Sequence, residues 1–441
     1  MEKSDQGKIS FFAAVLMSIN IMVGAGILYA VGPMTALGGS ISFMGWPLIG
    51  LLLFPVVWSI ARAAQLYPGE GGFYHYCSKG ISPIAGFIAQ WGFFLGYMGT
   101  ASSLATVLRE GIIKNSGIQF FHDYPFVFNV LMVGFFVLIN LIPVEKLSRI
   151  QSIGTLLKIT PIVMAIALLT IYFNRDLTFE LSSLQNLGLT VSTVLFSYWG
   201  FETCCSIGGL LKDGPQKVTS VILVSFFITV ALYFLFHLGV LYIMGTENLA
   251  TYGAIEFPRF LGVSPMLQSV LQIGISCAIL LSWANSVLGV SLANITNLNS
   301  LGSRKLLLGH EALTVVNRYQ RPYFSALAYG IAFLALITFI RDVDVLFSLT
   351  GLGILTALSL TLVAVFKAHW KKKMIPQIIF SMVAFVCCGI LIFYTVTKLP
   401  NFWYATPLLG GMALGLILYT LQARKAVQDV VQEVEVQLVA E

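Results

Sequence analysis

Long apolar runs separated by short polar loops are the dominant pattern along the chain. Runs long enough to cross a bilayer, which takes about 20 residues of helix, fall at 10–32, 40–61, 83–108, 125–143, 150–173, 186–209, 218–244, 265–298, 322–340, 345–366, 374–397 and 402–422. They predict an all-α polytopic membrane protein of twelve transmembrane helices. Two of these runs are interrupted. In the first, the stretch Asn20 to Leu28, N-I-M-V-G-A-G-I-L, sets Gly24 and Gly26 around Ala25 where a membrane helix should be most regular. Glycine costs a helix about 1 kcal/mol relative to alanine, and in lipid each freed N–H and C=O must find a partner in protein, water or a ligand. One reading is a broken helix lining a cavity, its half-helix N-terminus offering amides to an anionic group such as a carboxylate. The other is close packing of a neighbouring helix on small residues. The two-residue spacing, which puts the glycines on different faces, favours the cavity.

The sixth run carries the second interruption, F-S-Y-W-G-F-E-T-C-C-S-I-G-G from Phe196 to Gly209. Gly200 stands 14 residues after the start of its run, as Gly24 does in the first. Matching breaks predict a 5+5 inverted repeat with two peripheral helices. The chain then divides into a cytoplasmic N-terminus at 1–9, five-helix repeats at 10–173 and 186–366, spans eleven and twelve within 374–422, and a tail at 423–441.

Composition and charge sharpen this picture. Of 441 residues, 57% are hydrophobic and 10% charged, against about 25% charged in a soluble domain. Eighteen of the 25 lysines and arginines fall at the N-terminus, the C-terminus and the loops after even-numbered spans, six fall on the other face, and Lys158 lies within a span. Both termini are therefore expected in the cytoplasm. The net charge of +6 is spread over these loops and asks for no nucleic acid or other acidic partner. No short apolar region with a cleavage site marks a signal peptide. The six cysteines show no metal-ligand spacing and read as small packing residues.

Few polar side chains lie inside the spans, and each is a candidate. Glu202, the acid set deep in a run, costs about 2.5–3.5 kcal/mol there unless paired, wet or protonated. It either braces the unwound turn or couples protonation to movement. Lys158, about 12 Å in from Ile150 along the fifth span, is either a snorkelling lysine or a cation at an ion or proton site. His237 reads as a hydrogen-bonded interior residue, and His75 as a loop histidine. Trp283, in mid-span, is packing or the wall of a cavity. Between spans two and three, Tyr67 to Gly86 contains Pro68, Gly69, Gly71 and Gly72 and is expected to fold back without crossing the bilayer. The loop 245–264 suits a short external helix.

Together, G-A-G-I-L at Gly24, P-G-E-G-G-F-Y at Pro68, N-L-I-P-V-E-K-L-S-R-I-Q from Asn140, Lys158 and W-G-F-E at Trp199 resemble the amino acid, polyamine and organocation transporters. Within them the likeness is greatest to the basic amino acid and polyamine antiporters, such as the arginine/agmatine exchanger, over residues 10–366. The resemblance implies the same ten-span inverted fold plus two helices, alternating access, and no cofactor. It implies that amides around Gly24, Ala25 and Gly26 hold a substrate carboxylate, with Asn20 close by, and that carbonyls from Phe196 through Tyr198 and Trp199 to Gly200 hold its amino group. Phe196 and Trp283 would cover the substrate side chain, Phe93 would be an aromatic gate, Glu202 a proton-sensitive acid, and Lys158 a stand-in for sodium. Two positions depart from the pattern: Ala25 stands where many relatives have serine, and span eight ends A-N-I-T-N-L-N-S without the acidic D-G pair.

The expected function is secondary active transport of an amino acid or amine, by exchange or proton coupling, in a bacterial inner membrane, without enzymatic activity. A proton-driven importer of neutral or aromatic amino acids stands beside it if Phe93, Phe196, Tyr198, Trp199 and Trp283 enclose a pocket with no acid. A non-transporting amino acid sensor is disfavoured by a tail of about 20 residues, too short for an output domain. The lipid bilayer and the small-molecule substrate are the expected partners, with a homodimer as the candidate assembly.

Overall fold

A computed structural model of the chain describes residues 8–24, 26–116, 119–173, 186–188, 190, 194, 197–212, 214–397 and 399–440. Two isolated bridges are the only β pairing among them. The first apolar run is two helices, α1 (Phe11–Met22) and α2 (Gly26–Gly38), and the second is α3 (Gly45–Leu66). A nine-residue helix, α4 (Gly72–Gly80), lies between α3 and the 34-residue α5 (Pro83–Ser116). There follow α6 (Gln119–Asp123), α7 (Pro125–Ile139), α8 (Val144–Lys158) and α9 (Thr160–Tyr172). The second interrupted run contains α10 (Thr203–Ile207), and after it come α11 (Val218–Met244), α12 (Thr246–Tyr252) and the 39-residue α13 (Pro265–Ser303). The remainder is α14 (His310–Leu313), α15 (Tyr323–Phe339), α16 (Val343–Lys371), α17 (Ile375–Thr397) and α18 (Thr406–Ala440). Among the described residues seven segments are long and apolar enough to cross a membrane, and α1, α7 and α15 are shorter apolar helices.

The polarity of the molecule is that of a multi-pass membrane protein. Phe12, Leu51, Phe339 and Phe393 are exposed, whereas Asn20, Gln90, Lys158, Glu202 and His237 are buried. Lipid leaves apolar side chains at no disadvantage on the outside, so the interior can bury polar groups among its apolar ones. Small residues set how closely the helices approach. Gly353 of α16 faces Gly96 of α5 so tightly that a Cβ on Gly353 would lie 2.5 Å from the Gly96 nitrogen.

Local breaks have local causes. Pro161, in the first turn of α9, separates it from α8 at Ile159. The fold-back between α3 and α5 depends on Gly72, at φ +51°, whose Cβ would lie 2.5 Å from the Cys205 carbonyl oxygen. Only glycine admits both the left-handed backbone and that approach. The described N-terminus is anchored beyond the second break: the Ile9 amide donates to the Leu210 carbonyl at 2.7 Å, and the Lys212 amide to that of Ile9 at 3.0 Å. The loop after α11 contains α12 and a 3-10 turn over Ala254–Phe260, where Arg259 pairs with Glu256 at 2.6 Å.

Candidate functional site

The first helix break is built by its own backbone. Val23, at φ −77° and ψ 71°, is the centre of an inverse γ-turn, closed by the Gly24 amide donating to the Met22 carbonyl at 2.8 Å. The chain becomes helical again at Gly26, and the first-turn amides of α2 have no intrahelical acceptor. A Cβ placed on Gly24 or Gly26 would meet nothing nearer than 3.9 Å. These glycines therefore border open space and are not contacts for a neighbouring helix. Ala25 lies outside the described residues.

The second break faces the first. Gly200 sits at φ +130°, and a Cβ there would come within 2.8 Å of the Met22 amide nitrogen. Both Glu202 carboxylate oxygens accept from the Gly200 amide, at 3.1 and 3.0 Å, and one also accepts from the Tyr97 hydroxyl at 3.1 Å. The acid thus replaces the hydrogen bonds that unwinding removed. Tyr233 of α11 joins the breaks by sharing its hydroxyl proton between the carbonyls of Met22 at 2.6 Å and Ser197 at 2.9 Å.

Between the breaks lies a cavity of about 50 Å³. Gly24, Gly26, Ser197, Trp199, Gly200 and Glu202 form one side, and Tyr97, Thr100 and Leu104 of α5 with Thr350 and Ile354 of α16 the other. Helix α5 orders three spaces along its axis. Gln90 lines a recess of about 360 Å³, Tyr97 to Leu104 line the cavity, and Val107 to Gly111 line a further recess of about 290 Å³. In the latter, Tyr29 and Trp283 stack at 6.2 Å with rings 9° from parallel. Beside the former, Gln90 donates to Asn297 at 2.6 Å, Asn297 to Asn294 at 3.2 Å, and Asn294 to the Phe94 carbonyl at 3.0 Å. The A-N-I-T-N-L-N-S stretch therefore supplies an amide chain beside a recess whose lining also includes Glu70.

Of the residues singled out in the sequence, Gly24, Gly26, Trp199, Gly200 and Glu202 converge on this cavity. Phe93 does not line it: the ring is fully buried behind Tyr97, with centroids 4.2 Å apart. Tyr198 turns away from the cavity, because its hydroxyl donates to the Trp46 carbonyl at 2.9 Å and its ring packs on Trp46 and Tyr233. Trp283 lies in the recess with Tyr29 and not on the cavity wall. Phe196 lies outside the described residues. Asn20 is buried and braces the break: its side-chain amide donates to the Asn285 carbonyl at 2.8 Å.

Lys158 does not snorkel. Helix α8 starts at Val144, six residues before the expected entry at Ile150, so Lys158 lies about 21 Å along it. Its ammonium is buried and donates to the Asn20 carbonyl and, at 3.2 Å, to the Ser286 hydroxyl. His237 is an interior residue held on both ring nitrogens, by the Trp46 indole at 3.1 Å and by Thr35 and Ser42 at 2.9 and 3.1 Å. His75 is on α4, with its ring 3.2 Å from the Pro68 carbonyl, and partial burial pushes its pKa below the usual histidine value. Among the described residues no group of three His, Cys, Asp or Glu is placed to hold a metal ion.

Sequence reasoning missed Tyr97, Thr100, Thr350 and Tyr233. Tyr97 follows Phe93 by one helical turn, a signal that was available. Thr350 and Tyr233 sit in runs with no local irregularity, and only packing brings them to the breaks.

The family model described as amino acid permease matches residues 9–416. An uncharacterised transporter of Mycobacterium tuberculosis is 27% identical over 345 residues, covering 75% of this chain and 73% of its own. A serine/threonine exchanger of Bacillus subtilis is 23% identical, covering 78% and 80%. A probable agmatine/putrescine antiporter of Lactococcus lactis is 24% identical, covering 55% and 53%.

Proposed function

The chain belongs to the amino acid permease family, and from that premise we propose a secondary active transporter of amino acids or amines working by alternating access. The observation that carries the reading is the small cavity between two facing helix breaks, bordered by glycines whose missing side chains leave it open. In this reading the amides around Gly24, Ala25 and Gly26 bind the substrate carboxylate, and carbonyls from Phe196 to Gly200 bind its amino group. Trp199 borders the substrate, and Phe93 supports Tyr97 behind it. Trp283 acts with Tyr29 as a cover on one recess, and the Gln90–Asn297–Asn294 chain closes the other. The bundle is read as twelve spans, two inverted repeats at 10–173 and 186–366 plus two further helices, in a bacterial inner membrane with cytoplasmic termini. Glu202 and Lys158 are the proposed coupling groups.

A neutral substrate is favoured over a cationic one by a specific observation. Glu202, the carboxylate on the described cavity wall, is already engaged by Gly200 and Tyr97. A cationic head would have to compete for it or rely on aromatic faces, worth about 0.5–2 kcal/mol. Uptake of labelled amino acids into proteoliposomes, with and without internal unlabelled amino acid and with and without a pH gradient, tests the whole reading. Uptake that needs an internal partner identifies an exchanger, and uptake driven by the gradient alone a proton-coupled importer. Binding without either would sink the transporter reading in favour of a sensor.

A further inference from the structure

A groove of about 630 Å³ lies apart from the transport cavity, where the ends of α3, α4 and α16 meet. Lys79, Lys367, Lys371 and Lys372 line it, and among the described residues no Asp or Glu does. All four lysines are exposed. The usual task of lysines at a helix C-terminus is to neutralise the last carbonyls. Here those of Ala368, His369 and Trp370 already accept from the amides of Lys372, Met374 and Lys373. The groove is firmly built: the Tyr67 hydroxyl donates to the Ala364 carbonyl at 3.1 Å, and a Cβ on Gly80 would lie 2.5 Å from that of Ala364. Its position is also telling, since two candidate membrane spans end at Leu66 and Lys371 and a third starts at Ile375. That is the level of a bilayer's head groups. Trp370, 65% exposed and stacked on Phe366 at 5.8 Å, supplies the aromatic surface favoured at that level.

We propose that this groove binds the phosphodiester head group of an anionic phospholipid. Four like charges, with no acidic side chain among the described residues of the groove, select an anion, and the ends of the spans place that anion in a lipid. The proposal requires only that these helix ends lie at a bilayer surface, and is independent of what is transported.

The test is native mass spectrometry of the purified full chain in mixed micelles of phosphatidylglycerol and phosphatidylcholine with matched acyl chains. Wild type is expected to retain phosphatidylglycerol selectively. Replacing all four residues in K79Q/K367Q/K371Q/K372Q should remove the selectivity, with about a fivefold loss of affinity for each lysine changed. The corresponding Lys→Arg variant should keep it, and the single variants K371Q and K372Q give the same reading if the fourfold glutamine variant does not fold. Equal retention of the two lipids, or unchanged selectivity in the glutamine variants, would overturn the proposal. So would displacement of phosphatidylglycerol by inorganic phosphate at an equal phosphate concentration, which would make the groove a site for free anions.

Discussion

Single residues at the two breaks do different work, and substitution should separate them. At Gly26 a side chain would enter the cavity without striking the backbone. Gly26→Val is therefore expected to reduce transport at least tenfold while leaving the thermal midpoint of the purified protein close to wild type. At Gly200, φ +130° and the nearby Met22 amide oppose any side chain. Gly200→Ala should cost about 1–3 kcal/mol of stability, read as a lowered thermal midpoint. Glu202→Gln retains a carbonyl oxygen for Gly200 and Tyr97 but cannot ionise. If Glu202 couples protons, this variant should keep counterflow and lose gradient-driven uptake; loss of both would make it a brace.

At the scale of elements, the ends of helices hold the bundle's surface together. Asp342 caps α16 by accepting from the Asp344 amide at 2.9 Å and reaches the Tyr404 hydroxyl at 2.7 Å. The Tyr404 hydrogen bond first, and the cap second, hold its carboxyl below the usual aspartate pKa. A lowered folded-state pKa contributes stability that is present above the unfolded value and lost as pH falls through the folded one. The thermal midpoints of wild type and Asp342→Asn should accordingly differ at neutral pH and converge in acid. The difference should be small, because the group is solvent-exposed and well screened. In the interior the tie between elements is Tyr233, whose hydroxyl fastens the α1 end at Met22 to the second break at Ser197. One side chain of α11 thus ties the carbonyl that closes the first break's γ-turn to a carbonyl of the second break.

For the whole molecule the question is orientation. In the proposed topology, which rests on the lysine and arginine bias, the loop 304–321 and the C-terminal tail are cytoplasmic and α12 is on the other side. Single cysteines introduced at Lys305 and at Asn248, in a background with the native cysteines replaced, should differ in labelling when an impermeant maleimide is applied to intact cells. Labelling of Asn248→Cys alone from outside fits the proposed topology, and labelling of Lys305→Cys alone reverses it.

The sequence by itself determined that the chain lives in a membrane and where its helices fail, because apolar length and misplaced glycine are local properties. Gly24, Gly26, Gly200 and Glu202 were legible for that reason, and motif likeness extended the reading to the family. Only the tertiary structure decided what faces the cavity. Tyr198 and Trp283 occupy eligible positions in the chain, yet packing turns one to Trp46 and the other to Tyr29. A span starting at Ile150 would let Lys158 reach water; the helix starts earlier and its ammonium is held by Asn20 and Ser286. Tyr97, Thr350 and Tyr233 are ordinary residues in regular helices. Their meeting depends on contacts between segments far apart in sequence, which no local pattern encodes.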